Sequence, residues 1–149
     1  MLTDQAVQLA RQHLKNGHNC CQSVILAAGQ VLAIPVSEEL IDSAALFAKG
    51  MGSGCTCGAL VGMTMMSGVL QKHAVHPLGS KLSSKLHDDF KDQFGSTCCR
   101  VICKRRGALQ NIGNRGCIEL TSQAAAMLVR EWEGLLDNVR HIDPDTHPE

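Results

Sequence analysis

Eight cysteines in a chain of 149 residues fall into four groups, and each group follows a glycine-bearing stretch. Cys20 and Cys21 follow Gly17. Cys55 and Cys57 follow Gly50, Gly52 and Gly54. Cys98, Cys99 and Cys103 follow Gly95, and Cys117 follows Gly113 and Gly116. Each group lies in or just before the first turn of a predicted helix. The chain must therefore fold so that several helices begin at sulfur-bearing reversals. The first N–H groups of a helix have no intrahelical partner and carry partial positive charge. Sulfur placed there is expected to be held as thiolate with a lowered pKa, and an anionic cluster or bound anion is favoured for the same reason. Arg100, Lys104, Arg105, Arg106 and Arg115 add positive charge beside the third and fourth groups.

The remaining pattern is helical. Thr3 is expected to cap a first helix with Ala6, Val7, Leu9, Ala10 and Leu14 along one side, stopped by Asn16-Gly17. A second helix is predicted from Asn19 to about Ala33, before Pro35. Ser37 caps a third, with Glu38 and Glu39 in its first turn, running to about Ala48. Gly50–Gly54 is a loop. Cys57–Lys72 is apolar nearly all round and is predicted to be the central buried helix, with Gly62 and Gly68 allowing close packing. His76–Gly79 is a turn. Ser80 or Ser83 caps a polar helix to Phe94, Gly95 stops it, and Ser96 or Thr97 starts another through Lys104. Gly107–Gly116 is a loop, and the last helix runs from about Cys117 to Val139. No strand alternation and no internal repeat stand out. The expected fold is all-α: a single-domain bundle of six or seven helices around a central apolar helix. The domain spans residues 1–140, and 141–149 form a flexible tail.

Composition removes several function classes. Apolar residues make up 44% of the chain, enough for a globular core. Lys+Arg and Asp+Glu are 14 each, so no global charge draws the chain to nucleic acid. Aromatics are 3%, too few for a base-stacking platform. The apolar stretches Val24–Val36 and Ala59–Leu70 are too short to span a bilayer, and no signal peptide is visible at the N-terminus. The expectation is a cytoplasmic protein. In that reducing compartment eight cysteines read as metal ligands or redox thiols before structural disulfides.

No Cys-x-x-Cys occurs, so neither a thioredoxin-type pair nor a zinc ribbon is signalled, and the haem motif Cys-x-x-Cys-His is absent. Cys99 and Cys103, four residues apart, can share a helix face. Any metal site would take one or two thiolates from each of several helices. A single cysteine is most often a small buried hydrophobe, but eight passive ones would be unusual at this density. Gly50-x-Gly52-x-Gly54 is no nucleotide fingerprint, since no strand precedes it. It reads as a loop where backbone approaches a helix or a bound cluster. Met63, Met65 and Met66 could offer thioether to Cu(I), but read first as core fillers. Among seven histidines, His18 stands beside Cys20 and Cys21. The others read as surface or capping groups.

At these residues the chain resembles the C-GCAxxG-C-C family of redox-active proteins. The matching pieces are Asn19-Cys20-Cys21-Gln22, then Gly52-Ser53-Gly54-Cys55-Thr56-Cys57-Gly58-Ala59-Leu60-Val61-Gly62. Phe90–Ser96 with Cys99-Arg100 follows, and Cys117 opens the last helix. The likeness covers roughly residues 5 to 133. It implies that the four pattern cysteines are Cys20, Cys57, Cys99 and Cys117. The order Cys57-Gly58-Ala59 departs from Gly-Cys-Ala and leaves Cys55 open beside Cys57. Cys21 and Cys98 are further metal-site candidates, and Arg100, Gly54 and Gly58 are cofactor-contacting ones. The resemblance implies a helical protein with a thiol-based redox or iron–sulfur role.

Three readings follow. The first is electron transfer or redox sensing through a cysteine-ligated iron–sulfur cluster or other soft metal. The second is metal-free thiol–disulfide chemistry at Cys99 and Cys103. The third is a non-catalytic module binding Cu or Zn. Lys104-Arg105-Arg106 could dock an acidic redox partner protein, and a second copy of the chain could complete the site as a homodimer.

Overall fold

The computed structural model describes residues 1–136. It contains helices α1 (Leu2–Lys15), α2 (Cys20–Leu32), α3 (Glu38–Ser43), α4 (Gly58–Leu70), α5 (Leu82–Phe94), α6 (Cys99–Arg106), α7 (Ala108–Asn111) and α8 (Arg115–Leu136). Short 3₁₀ turns at Gly79–Lys81 and Ile112–Asn114 lead into α5 and α8. No strand occurs among the described residues. The fold is all-α, as the periodicity predicts. The expected tail 141–149, the boundary at 140 and the end of the last helix at Val139 lie outside the described residues.

α2 sits among α1, α3, α4 and α8, and α4 also packs on α8 and α5. Both are apolar for the same reason: they are covered on several sides. Nine residues of α2, from Cys21 to Leu32, are buried. Small side chains set the spacing. Ala6 and Ala10 of α1 and Ala124 and Ala125 of α8 are fully buried, and α1 packs along α8. A Cβ on Gly62 would come within 2.7 Å of the Cys21 carbonyl oxygen, so glycine lets α4 lie against the α2 backbone. Larger residues fill the rest: Met63, Met66, Phe90, Leu128 and Trp132 are fully buried. The Trp132 indole N–H donates to Ser67 Oγ at 3.1 Å, tying α8 to α4. Met63 and Met66 are core, as their helical spacing suggests.

Several boundaries differ from the expectation, each for a physical reason. α1 begins at Leu2 after Met1, and Thr3 lies inside it without capping. α2 opens with a capping box: Asn19 Oδ1 accepts from Gln22 N at 2.8 Å, and Gln22 Oε1 accepts from Asn19 N at 3.0 Å. The same two side chains end α3. Asn19 Nδ2 donates to the carbonyls of Ala44 and Ala45, and Gln22 Nε2 donates to that of Ile41. With those carbonyls taken, α3 stops at Ser43 instead of Ala48. Ser37 caps it as expected, accepting from Leu40 N. Neither Ser80 nor Ser83 caps α5, which follows directly from the 3₁₀ turn after Lys81. Its end at Gly95, with φ 82°, is the expected left-handed stop. α6 starts at Cys99, two residues after Thr97. The 107–116 stretch, expected to be a loop, contains α7 and a 3₁₀ turn, and α8 starts at Arg115.

Candidate functional site

Four helix starts surround one cavity of about 1050 Å³, and each presents a cysteine to it. Cys20 is the first residue of α2, and Cys57 immediately precedes α4. Cys99 is the first residue of α6, and Cys117 lies in the first turn of α8. Cys103, one turn beyond Cys99, lines the same cavity. Gly54, Gly58 and Arg100, expected to contact a cofactor, also line it, as does His18.

The second and third cysteine groups are held together by backbone. Thr56 and Cys98 form an isolated antiparallel bridge. Cys57 N donates to Thr97 O at 2.8 Å, and Cys99 N donates to Cys55 O at 2.6 Å. Only a tightly folded loop lets residue 55 reach α6. Its backbone is left-handed at Lys49, Gly50, Met51, Gly52 and Gly54, a conformation that glycine adopts without strain. Arg100 fixes the loop by donating from Nη2 to Ser53 O at 2.8 Å.

Two other glycines make room for functional groups. A Cβ on Gly58 would strike Phe47 O and lie 2.5 Å from Cys20 Sγ. A Cβ on Gly116 would collide with the Arg106 side chain. Through that gap Arg106 reaches Cys117, with Nη1 3.4 Å from Sγ.

The remaining cysteines turn elsewhere. Cys21 is buried in the core, with Sγ 3.8 Å from Met65 Sδ. Cys55 is exposed. Cys98 donates to Gly54 O at 3.0 Å and stiffens the loop. None of these three lines the cavity. All eight cysteines are free thiols. No three Cys, His, Asp or Glu side chains among the described residues stand close enough to share one metal ion. The sulfurs thus ring a cavity without closing on a point.

Their protonation reverses one expectation. Burial pushes Cys20 up to about 11, Cys57 to about 12 and Cys99 to about 12. Cys21, in the core, also rises to about 12. Helix-start N–H groups do act on them: those of Ala59 and Leu60 pull Cys57 down, and those of Cys20 and Cys21 pull Cys20 down. Loss of water outweighs that pull, because desolvation penalises the charged form more than a few amides favour it. Neighbouring sulfurs add to the rise: Cys103 acts on Cys99, and Cys117 on Cys20, Cys57 and Cys99. Low-pKa thiolates at Cys20, Cys57 and Cys99 are therefore not what this fold makes.

A family model described as "Putative redox-active protein (C_GCAxxG_C_C)" matches residues 18–131. The chain belongs to this C_GCAxxG_C_C family. The match begins at the turn before α2 and ends inside α8. It therefore encloses all four cysteine groups of this family member and every wall of the cavity except the end of α1. No curated protein and no solved structure matches the chain. No described helix is long and apolar enough to cross a membrane.

Sequence reasoning missed Thr121 and Arg106 as cavity residues. Arg106 carried a signal, since it lies in a basic run beside a cysteine group. Thr121 carried none beyond its place one turn after Cys117.

Proposed function

We propose that the cavity holds a cysteine-ligated iron–sulfur cluster or comparable soft-metal centre, through which this redox-active protein transfers electrons or senses redox state. Cys20, Cys57, Cys99 and Cys117 are the ligands. The observation that carries this reading is that thiols from four helix starts, far apart in sequence, line one cavity. A bound cluster would supply a one-electron couple.

The chain's own groups fit that role. Orphan N–H groups at the helix starts favour negative charge on the sulfurs. Arg106 beside Cys117 adds a positive charge, and Arg100 stands in the cavity wall. Burial keeps Cys20, Cys57 and Cys99 protonated when no cation is present, so loading must release protons. A lone zinc or copper ion needs its sulfurs about 2.3 Å from one point. Sulfurs spread round a wall favour a centre of several atoms. Metal-free exchange at Cys99 and Cys103 is disfavoured by the elevated pKa of Cys99, because the thiolate is the nucleophile.

Anaerobic purification tests the proposal. Protein carrying iron and sulfide with visible absorption, lost in a variant with Cys20, Cys57, Cys99 and Cys117 all changed to Ser, is expected. Colourless protein that takes up neither on anaerobic reconstitution would overturn it.

A further inference from the structure

The cavity is larger and differently furnished than four thiols require. About 1050 Å³ is the size of a pocket that encloses a whole organic molecule, for which roughly 300–1,000 Å³ is usual. Its wall includes apolar Leu14, Ile102, Ile118 and Leu120. No Asp or Glu lines it, while Lys15, Lys49, Arg100 and Arg106 do. None of these four cations pairs with a carboxylate among the described residues. Two polar groups in the wall are left waiting. Thr121 is fully buried and its Oγ1 has no hydrogen-bond partner. His18 Nδ1 is likewise buried without a partner. Buried polar atoms are normally paired, so an orphan pair in one cavity points to a missing ligand.

We propose that the cavity is also a binding site for an organic oxyanion: a small molecule with a carboxylate or phosphate head and an uncharged body. Lys15 and Lys49 are exposed at the rim and attract the head. Thr121 and His18 offer hydrogen bonds within the wall, and the apolar residues cover the body. Lys15, Lys49, His18 and Thr121 are not among the groups assigned to the thiol centre. The site therefore stands whether or not the sulfurs hold a cluster.

Binding of phenyl phosphate and of hexanoate to the purified protein, each against its uncharged analogue phenol or hexanol at fixed ionic strength, tests the inference by calorimetry. Saturable binding of at least one oxyanion, about tenfold or more tighter than its analogue, is expected from a charge-assisted contact. Thr121→Val keeps the shape and removes the hydroxyl, and the double variant Lys15→Gln with Lys49→Gln removes rim charge. Each should weaken binding about tenfold, with unchanged helical circular dichroism showing that the chain is folded. Absence of saturable binding, equal binding of the uncharged analogue, or wild-type affinity in both variants would overturn it. Protein that takes up neither iron nor sulfide on anaerobic reconstitution yet still binds the oxyanion would overturn the cluster and leave this site standing.

Discussion

At the scale of single residues, the decisive contest is between helix-start amides and loss of water. Cys57 has both at once: N–H groups of Ala59 and Leu60 favour its thiolate, yet burial holds it protonated up to about 12. The sign of the consequence follows from linkage. Folding raises Cys20 from 9.0 to about 11, and Cys57 and Cys99 from 9.0 to about 12. Below pH 9 folded and unfolded chains both keep these protons, and the thiols contribute no slope. Above pH 9 the unfolded chain releases them first. Stability then falls with rising pH until the folded thiols ionise, near pH 11 to 12. The urea midpoint is expected to drop between pH 9 and 11, and to drop less steeply in Cys57→Ala. Identical slopes in wild type and variant would show that this thiol is not buried as described. The cysteines' placement at helix starts was legible from glycine and cysteine spacing alone. Their protonation was not, because burial is a property of the assembled cavity and not of the helix end.

Among the helices, the same limit separates what spacing foretells from what packing decides. α2, α4 and α5 fall close to their predicted ranges because apolar periodicity and stop signals agree. α3 does not: Ala44–Ala48 reads as helix, but Asn19 and Gln22, more than twenty residues away for most of these contacts, take the carbonyls that would continue it. The bridge between residues 55–57 and 97–99 is equally non-local, and no local pattern marks it. Two of the three glycines of α4, Gly58 and Gly68, give a direct test of packing against propensity. Gly58 faces Phe47 O and Cys20 Sγ, whereas Gly68 is exposed with open space around it. Gly58→Ala should destabilise by about 1–3 kcal/mol through overpacking. Gly68→Ala should stabilise by about 0.5–1 kcal/mol through helix propensity. Chemical denaturation measures both, and equal effects at the two sites would contradict the crowding of Gly58 against Phe47 and Cys20.

Over the whole molecule, a net charge of zero conceals a division. No Asp or Glu occurs from Ser43 to His87 or from Gln93 to Ile118, the segments that build most of the cavity. Of their cations, Lys49, Arg100 and Arg106 line the cavity and, with Lys15, give its mouth a positive field. Reduced protein should therefore react faster with anionic ferricyanide than with a cationic oxidant such as hexaammineruthenium(III). That preference should shrink at 1 M salt, where screening acts over about 3 Å. Stopped-flow rates across a salt series decide it, and rates indifferent to salt would remove the field from the mechanism. The bridge has one more consequence at this scale. Residues 58–96 leave it and come back to it, so α4 and α5 form an excursion pinned at its base. The hairpin tip around Pro77 is remote from that pin along the chain. Insertions there would lengthen the excursion while leaving the sulfur frame where it is, which makes the tip the natural place to graft a tag or a fused domain.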